Sequence, residues 1–454
     1  MMRSMYSAVS SLRAHQLKMD VIGNNIANVN TVGYKGSRVT FQEVFSQTLR
    51  GAGRPQENGR GGTNPQQVGL GISISSMDTF HMRGAVESTG YNTDLMINGD
   101  GFFIVSDTSD GSKKSYTRAG NFGLDTDGNL ITPDGFYVLG YEYNEDGVLI
   151  EDLKGLKISK SITSPPKASD TAIFEGNINS NLAPAGVQAD FDALKQLVKD
   201  DEDKDVKSTY STTMKFYDSL GNSHNVTMTF VHTGVDGDGN REFNAYIRQI
   251  DGVDATGITP DLTKLSFDSA GKLVKIDDTG DLAATPPVPF PNIFLGVPGN
   301  ILNGADALNI QLDFTKLKSY SSPSDAAALK VNGYESGKLD DFTISSTGEI
   351  EGVFSNGETR ILGQIRLANF KNPAGLLKTG SNMYRETANS GEAMFGYPAA
   401  GGFANLQPGA LEMSNVDLSR EFTDMITTQR GFQANSRIIT TSDEMLQEVV
   451  NMKR

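Results

Sequence analysis

Cysteine is absent from this chain, which excludes disulfides, thiolate zinc sites, iron–sulfur clusters and cysteine nucleophiles together. Tryptophan is absent too, and four histidines are few for a metal-rich enzyme. No run of about 18 apolar residues occurs, so no segment reads as a membrane-spanning helix and no membrane insertion is expected. The opening residues, Met1-Met2-Arg3-Ser4-Met5-Tyr6, lack the continuous apolar stretch of an ordinary secretory signal. Positive charge is in deficit. The net charge is −15, which argues against a nucleic-acid partner, because phosphate binding needs a basic footprint.

What is present points to several domains. At roughly 150 residues each, 454 residues make about three. Glycine is abundant (49 residues) and proline modest (16), the balance of a β-rich chain with tight turns. Charge is unevenly spread. Residues 1–35 carry four basic groups and one acid, residues 411–454 carry five and seven, so the segment between accounts for −16. An acidic body with near-neutral ends is consistent with different tasks for body and ends.

The two ends have helical periodicity. Positions 2, 5, 9, 12, 16, 19, 23 and 26 read Met, Met, Val, Leu, Gln, Met, Gly, Ile, with six of eight apolar. Steps of three and four make this a heptad seam, and Met5, Val9, Leu12, Met19 and Ile26 are its expected assembly contacts. Positions 418, 422, 425, 429, 432, 436, 439, 443, 446 and 450 repeat the pattern with seven of ten apolar. There Leu418, Phe422, Met425, Gln429, Phe432, Ile439 and Leu446 are the expected contacts. Gln429 and Ser436, polar within the seam, are expected to set register at some cost in stability. Asn415 or Asp417 can cap this helix, since a short acceptor takes its first free N–H groups.

Between the ends, from about Phe41 to Lys371, short strands alternate with Gly/Asn/Asp turns every 8–12 residues, the spacing of sandwiches or barrels. Residues 50–67 form a polar Gly/Pro/Gln-rich stretch with little to bury. Breaks are expected near Ser164-Pro-Pro-Lys167 and Ser319–Ser324. The charge run Lys199–Asp205 and the proline cluster Pro286–Pro291 read as exposed loops.

Candidate chemistry is sparse. Asp125-Thr-Asp-Gly-Asn129 and Asp236-Gly-Asp-Gly-Asn240 lack the Gly at position 6 and Glu at position 12 of a calcium loop. They read as hairpin turns, where Asp-Gly and Gly-Asn accept positive φ. His224 and His232, eight apart in a strand-like run, have no third ligand in view. No nucleophile elbow, Walker loop or H-E-x-x-H motif occurs. A polysaccharide-binding protein or hydrolase needs clustered aromatics and paired carboxylates, and Tyr and Phe are scattered. No catalytic residue, metal site or cofactor is expected.

The remaining signal is a set of Gly- and Asn-punctuated phrases. Asn is a mediocre helix former, yet Asn24, Asn25, Asn28 and Asn30 sit on or just after the seam-bearing helix, where their amides suit hydrogen bonds to other chains. Asn24-Asn-Ile-Ala-Asn-Val-Asn-Thr-Val-Gly-Tyr-Lys35, with Gly33, resembles the N-terminal signature of the bacterial flagellar rod, hook and hook-associated family. Asp94-Leu-Met-Ile-Asn-Gly-Asp-Gly-Phe-Phe103, with Gly99, Gly101 and Phe102, is similar to its second hallmark. Tyr116-Thr-Arg-Ala-Gly-Asn-Phe122 and Gly409-Ala-Leu-Glu-Met-Ser-Asn-Val-Asp417 are similar to two more. Ile361–Phe370 resembles a segment shared by rod and hook members. The phrases cover about a third of the chain. The roughly 150 residues inserted between them resemble hook members; the stretch at 50–67 resembles distal rod members, which remain the alternative.

The resemblance implies a multidomain α+β fold with paired terminal coiled-coil helices as the inner core. Residues 1–30 and 410–454 form that core, and 31–70 a connecting segment with an extended loop. Residues 71–165 with 323–409 form an inner β-domain, and 166–322 an outer β-domain. It also implies a helical homopolymer, a curved tube that transmits torque. The expected partners are the chain itself, the distal rod, the hook cap, the first hook–filament junction protein and the flagellar type III export apparatus. The expected location is extracellular, reached without a cleaved signal peptide.

Overall fold

A computed structural model describes residues 2–55, 61–144, 147–185, 191–202, 207–254, 263–277, 280–281, 293–297 and 304–452. The chain forms two compact units.

The first unit comprises Met1–Lys160, Asp340–Val353 and Thr359–Arg454. It opens with helix α1 (Met2–Ala27) and closes with helix α3 (Leu418–Asn451). Strand Tyr137–Tyr143 is the axis of its main sheet, pairing antiparallel with Phe102–Ser106, Leu149–Gly155 and Thr359–Ile365. All five side chains of Phe102–Ser106 are buried, as a strand covered on both faces requires. Two small ladders tie the chain leaving α1 to the chain returning towards α3. Val86–Ser88 pairs with Ala410–Glu412, and Leu95–Asn98 with Asn405–Pro408, both antiparallel. The start of α3 is thereby fixed beside residues more than 300 positions earlier.

After α1, strand Ser37–Glu43 pairs with Ile72–Thr79, and Ser46–Arg50 with Gln66–Gly69. The polar stretch expected as a loop at 50–67 is therefore a hairpin at its base, continued by a Gly53–Thr63 bridge. Residues 56–60 lie outside the described residues.

The second unit comprises Ser161–Leu339 and Phe354–Glu358. Strands Thr209–Tyr217, Ser223–Val235, Arg241–Ile250, Thr263–Phe267 and Leu273–Ile276 form an antiparallel meander. A second sheet joins Thr171–Asn177, Ile293–Val297, Leu308–Lys318 and Ala327–Val331. Phe174, Phe216, Phe230, Phe243, Phe267 and Phe314 meet in one apolar core. Thr209–Tyr217 shows the sequence cause, with Met214 and Phe216 buried between exposed neighbours.

The charge run at 199–205 departs from expectation. Lys199–Glu202 belongs to helix α2 (Phe191–Glu202), and Asp201 is buried. Its Oδ2 accepts from the Ser208 N–H at 2.7 Å and the Thr209 hydroxyl at 2.9 Å. One carboxylate thus turns inward to satisfy the start of the next strand while Lys199 and Asp200 face solvent. Residues 203–205 and the proline cluster 286–291 lie outside the described residues. The Asp125 and Asp236 phrases are turns. Each aspartate Oδ1 accepts N–H groups two and four residues on, at 2.7–2.9 Å.

Candidate assembly interface

Helices α1 and α3 pack side by side in opposite directions. Asn25 hydrogen-bonds Glu421, Gly431 faces the His15 ring, and Asn435 Nδ2 donates to Ser11 Oγ at 2.8 Å. Asp417 caps α3, accepting from Ser419 N–H at 2.9 Å and Arg420 N–H at 3.4 Å. Asn415, the other candidate cap, instead bridges the connecting chain. Its Oδ1 accepts from Gly36 N–H at 2.9 Å and its Nδ2 donates to Phe80 O at 2.9 Å.

The covered face of α3 runs through Glu421, Met425, Thr428, Phe432, Asn435, Ile439, Ser442 and Leu446. Of the expected assembly contacts, Met425, Phe432, Ile439 and Leu446 lie on this face covered by the chain itself, whereas Leu418 (39 % exposed), Phe422 (50 % exposed) and Gln429 are exposed. Thr428, Gly431, Asn435 and Ser442 take the intervening positions. The cause is size. The buried residues of α1 are Ala8, Ala14, Ile22 and Asn25, mostly small, and a close approach selects small partners between the large ones. Asn435–Ser11 and Asn25–Glu421 are polar pairs between the two helices, and Gln429 stands in solvent. On α1, Met5, Leu12, Met19 and Ile26 are half-covered and Val9 is 39 % exposed. Met2, Tyr6 and Val9 on α1, and Leu418, Phe422 and Ile426 on α3, form apolar stripes that nothing in the described chain covers.

Two of the asparagines, Asn25 and Asn28, are engaged within this chain. Asn25 is buried; its Nδ2 donates to Ser37 O at 2.8 Å and its Oδ1 accepts from Ser37 N–H and the Tyr34 hydroxyl. Asn28 Nδ2 turns back to Asn24 Oδ1 at 2.6 Å, and Asn24 and Asn30 are exposed. Helix-end amides replace the backbone partners that the last turn lacks.

The signature phrases meet at a buried ionic node. Lys35 Nζ lies 2.6 Å from Glu412 Oε1, both side chains fully buried, and Arg118 lies 3.3 Å from Glu412 Oε2. Met82 O accepts from Lys35 at 2.7 Å, and Gly84 N–H donates to Glu412 Oε1 at 2.9 Å. Gly33 N–H donates to Glu412 O at 2.7 Å. Gly33 has φ +69°, and a Cβ there would stand 2.6 Å from Ala119 N, so only glycine fits. Gly99 has φ +141° and a Cβ would press on Ala404; Gly101 shares the positive φ. Phe102 lies under the Arg118 guanidinium and edge-on to His81, Tyr384 and Phe370.

Burial lowers the Lys35 pKa despite Glu412 beside it. It also lowers the His81 pKa to about 4, assisted by Lys35, Arg118 and Lys378. Burial raises that of Glu421. None of Lys35, His81, Arg118 and Glu412 was singled out by sequence reasoning as a site. Lys35, Arg118 and Glu412 sat inside recognised phrases, but nothing in one sequence pairs residues 377 positions apart. His224 and His232 share no site. His224 is held by Asp251 and Asp218 at 2.6 and 3.2 Å, while His232 Nδ1 meets Leu182 O. Among the described residues no cluster of three His, Cys, Asp or Glu is arranged to hold a metal ion, and no helix is long and apolar enough to cross a membrane.

Fold and interface define a structural class: a β-rich protein with a pair of terminal helices whose apolar flanks no described residue covers. Family profiles match in series along the chain: "Flagella basal body rod protein" over residues 5–35, "Flagellar hook protein FlgE/F/G D1 domain" over 96–179, "Flagellar basal body protein FlaE D2 domain" over 177–334 and "Flagellar basal body rod FlgEFG protein C-terminal" over 407–452. The flagellar hook proteins FlgE of Borreliella burgdorferi and Treponema pallidum are each 38% identical to it across 100% of both chains. The flagellar basal-body rod protein FlgG of Bacillus subtilis is 32% identical, again across 100% of both. This chain belongs to the flagellar hook protein family.

Proposed function

We propose that the chain is the structural subunit of a bacterial flagellar hook, self-assembling into a curved helical tube. The observation that carries this reading is the pair of uncovered apolar stripes on α1 and α3, at the two ends of a protein whose relatives are hook proteins. Neighbouring copies bury those stripes, so the terminal helices, packed as coiled coils, form the inner core. Residues 1–30 with 410–454, 31–70, 71–165 with 323–409, and 166–322 act as core, connection, inner and outer β-domains. The tube is a universal joint. Well-packed helices hold the inside, and weaker polar contacts at the acidic outside are remade as it turns. The subunit meets the distal rod, hook cap and first hook–filament junction protein, leaves the cell through the flagellar type III apparatus without a cleaved signal peptide, and performs no catalysis.

Phe422→Asp tests the reading. An exposed aspartate costs the monomer little, whereas in a tube it places a charge where water is excluded. The monomer should melt as the parent does, and electron microscopy should show no tubes. Thr427→Asp, exposed and outside the stripe, should assemble. Normal tubes from Phe422→Asp would discard the stripe as the contact. The likeness to the B. subtilis rod protein supports a second reading, a distal rod subunit; straight rather than curved polymers would favour it.

A further inference from the structure

One sheet face of the first unit gathers polar and aromatic side chains that neither the helix pair nor the ionic node uses. Tyr141 and Tyr143 are two apart on strand Tyr137–Tyr143 and share a face. Across the ladders Tyr141 stands opposite Gln364, and Gln364 opposite Glu349. Arg366 joins this side. Its guanidinium carbon lies 4.0 Å from the Tyr141 ring centroid and 3.0 Å from that of Tyr397. The two rings are 6.2 Å apart at 80°, so the cation fills the corner between them.

This cation is short of partners. Arg366 is 6 % exposed. Its Nε and Nη1 are buried without a hydrogen-bond acceptor, and no carboxylate among the described residues pairs with it. A guanidinium carries five N–H donors. Ring faces attract its charge, but they do not replace acceptors, and an unpaired buried cation is costly. Glu349 is the acid on this face, and its Oε2 accepts from the Thr347 hydroxyl at 2.8 Å. Burial raises the Tyr143 pKa, with Glu349 and Tyr397 adding to the rise and Arg366 opposing it, so these groups share one field. Tyr397 leads into an exposed turn where Ala399, Gly401 and Gly402 have positive φ. The hydrogen bonds of that turn are local: Ala400 N–H donates to Tyr397 O at 3.2 Å and Phe403 N–H to Ala400 O at 3.0 Å. The turn can shift without breaking the sheet beneath it.

We propose that Arg366 anchors a carboxylate-binding site, with the Tyr397 ring as its movable cover. When Tyr397 swings aside, a carboxylate accepts two parallel N–H groups of the guanidinium, the geometry its planar fork prefers. The Tyr141 ring remains as a wall. One negative charge is accepted, and a second meets repulsion from Glu349. The ligand class is therefore a monocarboxylate, either a free organic acid or an acidic side chain of a second copy. The site lies in the β-body and does not rest on the tube reading.

Benzoate is the probe, and benzamide, of similar shape without the charge, is its control. Calorimetric titration of the full chain should show one benzoate per chain and at least tenfold weaker benzamide. Arg366→Met should abolish benzoate binding. Arg366→Lys keeps the charge without the fork and should weaken binding at least tenfold; it decides the matter if Arg366→Met does not fold. Glu349→Gln removes the neighbouring repulsion and should tighten binding at least twofold. Tyr397→Ala should also tighten it, because no cover has to open; weaker binding there overturns the cover. Benzoate binding that is lost in assembled polymer assigns the site to an acidic side chain of a neighbouring copy, and equal binding in polymer and monomer assigns it to a free acid. Absence of binding to the parent, or equal binding by the parent and the Arg366 variants, overturns the proposal. So does binding that appears only in Glu349→Gln, since Glu349 is then the occupant.

Discussion

The second unit is held by an apolar centre, six phenylalanines meeting between two sheets. The root of the terminal helices in the first unit is held by charge, with Glu412 between Lys35 and Arg118. The physics of the two centres differs. Apolar burial is non-directional and tolerates sliding; its strength scales with area. A buried ion pair adds little net stability, because desolvation offsets the attraction, yet a missing partner is very costly. In the first unit this cost falls on any arrangement that separates residue 35 from residue 412. The node therefore specifies geometry, setting where α1 ends relative to where α3 begins, and the apolar core of the second unit supplies bulk stability.

Removing one partner should break the comparison most sharply. Glu412→Ala leaves two cations buried without a counter-charge, at about 3–5 kcal/mol. Denaturant unfolding should show the first unit destabilised and the second unchanged. A loss below about 1 kcal/mol would mean that water reaches the node. Replacing the triad together, Lys35→Met with Arg118→Met and Glu412→Leu, should cost far less than Glu412→Ala alone, because no charge is stranded.

In the second unit, Phe230→Ala should cost about 3–5 kcal/mol by cavity formation. That loss should not depend on salt or pH, unlike the loss at the node.

Two histidines carry the contrast into pH. His81 takes up its proton near 6.5 when unfolded and only near 4 when folded. Its contribution is present above pH 6.5 and is lost as pH falls through about 4, a difference of up to about 3 kcal/mol at about 1.4 per unit. The gap between the parent and His81→Phe stability curves should follow that window in the first unit. For His224, burial lowers the pKa, but hydrogen bonds to Asp251 and Asp218 outweigh it and the pKa is raised. Its contribution is present below pH 6.5 and is lost as pH rises through the raised value. His224→Asn should flatten a smaller, opposite slope in the second unit. Slopes of the same sign would remove the distinction between the two environments.

Sequence alone determined the helical ends, the β-rich middle and the turns. These depend on local spacing: three-and-four steps at both termini, alternation in strands such as Thr209–Tyr217, and Asp-x-x-Gly phrases whose side chains bond their own backbone. Periodicity found Met425, Phe432, Ile439 and Leu446 because large apolar residues mark a stripe. It did not reveal the positions between them, since Thr428, Asn435 and Ser442 are covered only because the buried residues of α1 are small and let it come close. It could not see that Ser37 folds back onto Asn25 and takes up its amide. The tertiary structure alone decided the ionic node and the inward turn of Asp201. Each joins residues distant in sequence or depends on the register between two elements. Pairings of that kind are set by packing and desolvation across the whole fold, and a local pattern carries no record of them.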